Sequence, residues 1–196
     1  LREHGVVAGS VQRSVDGVNF ASVYEQDGYF LDDVWASPGG ECVWAVGRSQ
    51  GGEFDRGLIV SRGADGVWED ITFAPNDFIY SDVWGTAPNE VFIVGQASSR
   101  EGWLSGSSPL SVVLAWNGES LLPVLTHDAY NLMAIGGNGP GRLLFGGTLR
   151  DPGAGGHIGG VAILDWDQRR LVPGRVAGNH EVTDVLGFAL SPKDGV

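Results

Sequence analysis

Residues 80–95 read YSDVWGTAPNEVFIVG and residues 31–47 read LDDVWASPGGECVWAVG. Both carry one pattern: an Asp-Val-Trp run, a turn bearing Pro or Gly, and a second apolar run that ends on glycine. Self-similarity of this kind decides a fold before any local propensity does, because a repeated supersecondary unit buries its faces only against its neighbours. Weaker copies lie at 130–146, YNLMAIGGNGPGRLLFG, and at 182–196, VTDVLGFALSPKDGV. Aligned on Val34, Val83, Met133 and Val185, the copies are 49, 50 and 52 residues apart. A second marker keeps nearly the same period: Asp16-Gly17, Asp65-Gly66, Asn117-Gly118 and the looser Asp167-Gln168 each separate two β-prone runs. Asx-Gly between such runs predicts hairpins with type I′ turns, whose central residues need positive φ.

Each unit parses into four short strands. In the copy that opens at Leu31 they are predicted at 31–36 (A), 42–47 (B), 57–62 (C) and 67–73 (D). Four short antiparallel strands per repeat predict the blade of a β-propeller, and no leucine-repeat or 3.6-residue pattern competes with it. Strand A recurs near 31–36, 80–85, 130–135 and 182–187. The copy at 182–187 has no later strands, whereas the chain opens on residues 4–9, read as strand B, followed by 10–15 as C and 19–24 as D. The expectation is therefore an all-β propeller of four blades, one domain over 1–196, with a closure blade shared between the N- and C-termini. Two chains exchanging these strands, or half of a larger eight-bladed ring, satisfy the same arithmetic.

Composition excludes several function classes. With 24 acidic against 12 basic side chains and a net charge of −12, the chain's own field opposes nucleic acid and anionic lipid. No apolar run approaches the roughly 20 residues of a spanning helix, so membrane insertion is not expected. The single cysteine, Cys42, rules out a disulfide framework and a cysteine-based zinc knuckle. The 32 glycines suit short strands joined by tight turns.

The pattern DVWGTAPNEVFIVG, followed by an apolar strand and a DG turn with an aromatic (ADGVW, VDGVNF), resembles bacterial propeller repeats of the Kelch and BNR/Asp-box type. SVDGVNF at 14–20 is similar to a shortened Asp-box. The resemblance implies an exported, periplasmic or cell-surface protein; it does not select an activity, because one propeller scaffold hosts many unrelated functions.

In such a fold the B–C and D–A loops share one face. The B–C connections at 48–56, 96–109 and 147–157 are long and rich in Gly and Ser, and they carry Arg48, Phe54, Arg100, Trp103 and Arg150. Planar cations around aromatic anchors are the composition of binding hot spots, so a protein or glycan partner is expected there. Tyr29, Asp77, His127, Tyr130 and His180 on the D–A connections extend the candidate ligand-binding set toward the channel mouth. Just inside, Asp32, Ser81, Asn131 and Thr183 are read as equivalent polar positions, an oxygen set suited to a hard cation such as Ca²⁺ or Na⁺. Asp33, Asp82 and Asp184 are read as hydrogen-bonding residues that define the repeat. No nucleophile motif, phosphate loop or dinucleotide fingerprint occurs. The expected function is a noncatalytic binding or scaffolding domain, monomeric or strand-exchanged; the alternative is a carbohydrate- or ester-directed hydrolase using acidic residues at the channel mouth.

Overall fold

The computed structural model describes residues 8–49, 56–73, 78–98, 111–128, 130–137, 143–150, 157–165 and 170–173. Every regular element among them is a strand, and none is a helix. Sheet 1 is a hairpin of β1 (Ala8–Ser14) and β2 (Phe20–Asp27). Sheet 2 holds β3 (Tyr29–Ala36), β4 (Val43–Ser49), β5 (Gly57–Arg62) and β6 (Trp68–Asp70) in chain order. Sheet 3 repeats the order with β7 (Phe78–Ala87), β8 (Glu90–Ala97), β9 (Ser111–Trp116) and β10 (Leu121–His127). Sheet 4 does so with β11 (Tyr130–Gly137), β12 (Leu143–Arg150), β13 (His157–Asp165) and β14 (Arg170–Pro173). All pairings are antiparallel, so the four-strand repeat read from the sequence is present in three sheets.

The apolar runs VWAVG and VFIVG follow from stacking. Side chains alternate across a strand, and a strand covered on both sides needs apolar residues at every position. In β8, Val91 and Ile93 enter a core shared with Trp44, Val46 and Ile59 of sheet 2, while Phe92 and Val94 enter a core shared with Leu132, Phe145 and Leu164 of sheet 4. In β4, Ala45 faces back toward Val11 of β1. The sheets thus pack face to face in chain order. Trp35, Trp44, Trp68 and Trp84 lie in the layers between them, as the repeat predicts.

The glycine that ends each second run has a steric cause. The first strand bulges at Asp32, Ser81 and Met133, and the backbone beside the bulge crosses the glycine. A Cβ on Gly47 would land on the carbonyl oxygen of Phe30, and one on Gly147 on that of Asn131.

Three expectations require correction. The third copy aligns on Ile135, not Met133: the bulge falls at Met133, and Ile135 takes the interstrand role of Val83. In the first copy Gly9 is not the closing glycine of strand B. It pairs with Gln26 inside the β1–β2 hairpin and lies under the Tyr29 carbonyl, as Gly57 of β5 lies under that of Phe78. The run expected as strand B at 4–9 therefore contributes Ala8 and Gly9 to a third-strand equivalent, and its other residues lie outside the described ones. Finally, the Asx-Gly connections are not two-residue type I′ turns, since Ser14 pairs with Phe20, Arg62 with Trp68 and Trp116 with Leu121. The Asx side chain instead caps the loop: Asp16 Oδ1 accepts from Val18 N (2.9 Å) and Asn19 N (2.8 Å), and Asn117 Oδ1 from Glu119 N (3.0 Å) and Ser120 N (2.9 Å). These amide donors hold the Asp16 carboxyl far below the usual carboxylate range. The positive φ expected of Gly17, Gly66 and Gly118 is present at 73°, 81° and 96°.

Candidate functional site

Antiparallel order sends the second-to-third-strand connections and the intersheet connections out of the same end of every sheet. Equivalent residues of β3, β7 and β11 hold the sheets in common orientation. Asp33 Oδ2 accepts from Val83 N at 3.0 Å, and one repeat later Asp82 Oδ2 accepts from Ile135 N at 2.8 Å. The first strands of sheets 2 and 3 are thereby each clasped to the first strand of the next sheet by a side-chain carboxyl oxygen on a backbone amide. Asp33 and Asp82 also meet each other: burial, then the hydrogen bond to Asp33, push the Asp82 carboxyl up to about 8, so that at neutral pH Asp82 donates its proton toward Asp33.

The loop end of sheet 2 is built on Tyr29, Arg48 and Asp32. Register puts Arg48 opposite Phe30, beside the bulge at Asp32, and Arg48 Nη1 lies 3.1 Å from Asp32 Oδ2. A residue expected to bind ligand and one expected to bind a cation therefore neutralise each other. Burial raises the Asp32 carboxyl while the Arg48 guanidinium opposes the shift. The neck of the adjoining loop is pinned by Ser49 N donating to the Arg56 carbonyl (2.6 Å) and Arg56 N donating to Ser49 Oγ (2.7 Å). Arg56 is exposed there. Tyr29 packs against the core between sheets 1 and 2.

Between sheets 3 and 4, His127 and Tyr130 form a packed corner. Tyr130 N donates to His127 Nδ1 at 3.2 Å, the rings meet edge to face at 4.8 Å, and Ser111 Oγ donates to the Tyr130 carbonyl at 2.7 Å. The Tyr130 ring is buried in the intersheet core, so it serves packing before it serves a ligand. Burial lowers the His127 pKa, against the pull of Asp128, and favours the neutral imidazole that accepts the amide.

Register also corrects the expected cation set. The positions equivalent to Asp32 and Ser81 continue at Met133, and Asn131 is two residues nearer the loop end, at the level of Phe30 and Ile79. The Ser81 Oγ and Asn131 Oδ1 atoms are buried and have no hydrogen-bond partner among the described residues. No group of three or more His, Cys, Asp or Glu is gathered among the described residues. Phe54, Arg100, Trp103, Asp77, His180 and Thr183 lie outside the described residues, and Arg150 is described as the last residue of β12 by its backbone alone.

The opposite end holds a feature without a sequence signal. A cleft of about 290 Å³ opens between sheets 1 and 2, lined by Val11, Val23, Val34, Val43 and Trp68 together with Arg13 and Arg62. Its walls come from several strands between β1 and β6, and no local motif marks them.

No protein-family model matches this chain, and no curated protein matches it.

Proposed function

We propose that the sheets are blades of a propeller and that the chain is a noncatalytic binding or scaffolding domain, exported or cell-surface, which recognises an acidic glycan or a protein through its loop end. The observation that carries this reading is the pair of clasps from Asp33 to Val83 and from Asp82 to Ile135. They fix successive sheets in one orientation, so the connections after β4, β8 and β12 leave the same end of a rigid stack. Loops presented together on a rigid scaffold are where recognition resides. Arg100 and Arg150 bring cations to that end of a strongly acidic chain, where Arg48 is already paired with Asp32, and Phe54 and Trp103 serve as aromatic anchors. In this reading residues 182–187 supply the innermost strand of the blade that contains β1 and β2, which closes the ring within one chain.

The hydrolase alternative draws no support from the most perturbed carboxyl, because Asp82 and its partner Asp33 each spend an oxygen on a backbone amide. The test is a glycan array that includes sialylated and uronic-acid glycans. The full chain is compared with a variant whose 96–109 loop is replaced by a short Gly-Ser linker and with Trp103→Ala. Loss of about 2 kcal/mol of binding in Trp103→Ala with unchanged melting supports the loop end as the site. Binding that survives the loop replacement places recognition elsewhere.

A further inference from the structure

The contact between sheets 2 and 3 defines what the first strand of a sheet needs from its predecessor. Val83 receives the Asp33 carboxylate on its N–H and is 3% exposed. Two residues on, Gly85 lies under Trp35 of the preceding sheet, close enough that a Cβ there would sit 3.0 Å from the indole. Val91, across from Gly85 on the second strand, is fully buried in the same layer. Ile135 repeats the arrangement in sheet 4: its N–H donates to an Asp82 carboxyl oxygen and it is 5% exposed.

Sheet 2 has the same three positions in Val34, Ala36 and Val43, and they are open. Val34 is 52% exposed, and no carboxylate faces its N–H among the described residues. All three residues line the cleft of about 290 Å³ against β1 and β2. Among the described residues sheet 1 contributes a two-stranded hairpin to that side, with no inner strand against the cleft.

One segment of the chain carries the matching residues in the matching order. Asp184, Val185 and Leu186 reproduce the spacing of Asp33, Val34 and Trp35. Sizes are complementary as well: Trp35 covers Gly85, whereas Leu186, a smaller side chain, would cover Ala36, a larger floor than glycine. The connection also fits. Residues 174–181 join the end of β14 to Val182, much as residues 71–77 join β6 to β7.

We propose that Val34, Ala36 and Val43 form a seat for residues 182–187 of the same chain, with the Asp184 carboxylate taking the Val34 N–H and Leu186 resting on Ala36. This rests on the propeller reading above and gives its closure a residue-level contact. It also assigns the cleft to an internal strand, not to a free ligand.

A double-mutant cycle on the full chain tests it, using Leu186→Trp, Ala36→Gly and the pair together. Leu186→Trp alone overfills the seat and Ala36→Gly alone leaves a void, so each lowers the melting temperature; the pair restores the Trp-over-Gly contact and recovers about 2–4 °C relative to the sum of the single losses. Additive losses overturn the proposal. Should Leu186→Trp not fold, Asp184→Ala and Asp184→Asn decide the matter. The alanine lowers the melting temperature and the asparagine, whose amide oxygen still accepts from Val34, restores most of it; equal effects overturn the clasp. Light scattering accompanies each variant, and a concentration-dependent dimer that shows the coupling would make the occupant a second copy and overturn the same-chain assignment. Failure of this cycle leaves glycan recognition by the loop end untouched, and failure of glycan binding leaves the coupling untouched.

Discussion

Replacing Asp82 by Asn isolates the carboxyl pair that joins the sheets. In the folded chain the Asp82 carboxyl titrates at about 8, against 3.8 for an unperturbed aspartate. Between those values the unfolded chain has lost its proton and the folded chain has kept it, so the folded state binds more protons and stability falls as pH rises. The contribution is fully present below about pH 4 and is lost by the time pH passes about 8. One pKa unit corresponds to about 1.4 kcal/mol, which makes ~6 kcal/mol the upper bound of this span. Solvent at a pair that is not sealed from water screens it to about 2 kcal/mol. Asparagine reproduces the protonated acid: its Oδ1 accepts from Ile135 N, and its Nδ2 donates toward Asp33. Urea unfolding at pH 5, 6, 7 and 8 is the assay. Wild type is expected to weaken by about 1.5 kcal/mol across the series, whereas Asp82→Asn stays nearly flat, so its margin over wild type widens by about 1.5 kcal/mol from pH 5 to pH 8. A flat wild-type profile, or an asparagine variant that is weaker by the same amount at every pH, would refute the shared proton.

Gly66→Val places a β-branched residue at φ 81° and should cost on the order of 1–3 kcal/mol in urea unfolding, whereas Gly63→Ala, at a neighbouring position without positive φ, should cost under half of that. Arg48→Met removes the cation that opposes the burial shift of Asp32, so the Asp32 titration midpoint followed by carboxyl-carbon NMR should move to higher pH; an unchanged midpoint would show that the 3.1 Å ion pair is not maintained in solution.

The carboxyl pair also shows where sequence reading stops. Asp33 and Asp82 were legible as recurring hydrogen-bonding residues because each precedes a Val-Trp pair at the same phase of the repeat. Their partners were not legible, since Val83 and Ile135 are 50 and 53 residues away from the carboxylates they meet. The third copy shows the cost of that distance. YNLMAIGG lacks the Asp-Val-Trp signature, and with only residue types to align, Met133 fits the place of Val83 as well as Ile135 does. A bulge inserts one residue against the partner strand without any compositional mark, so only the interstrand register could locate it. The error then carried into the cation set, where Asn131 took the place that belongs to Met133.

The first copy failed for a related reason. Gly9 and Gly47 are both glycines after apolar runs, and both exist because a carbonyl passes over them. For Gly47 that carbonyl belongs to Phe30 in the same sheet, and for Gly9 to Tyr29 in the next. A missing Cβ reports close approach and does not say from which side. Among the candidate site residues, Arg48 and Asp32 were each found by type and position, yet their mutual ion pair depends on a bulge aiming Asp32 at the neighbouring strand.

What the sequence determined by itself was everything that repeats locally: strand-forming runs, the 50-residue period, the Asx-Gly connections and the apolar double faces of the second strands. Those properties are set by side-chain alternation and backbone sterics within a few residues, and they reproduce themselves in each copy. Which copy's residue meets which was decided only by tertiary structure, through register, bulges and the stacking of one sheet on the next. The exposure of Val34 is the sharpest case. Its sequence surroundings match those of the buried Val83, and the difference lies in what the preceding sheet places against it.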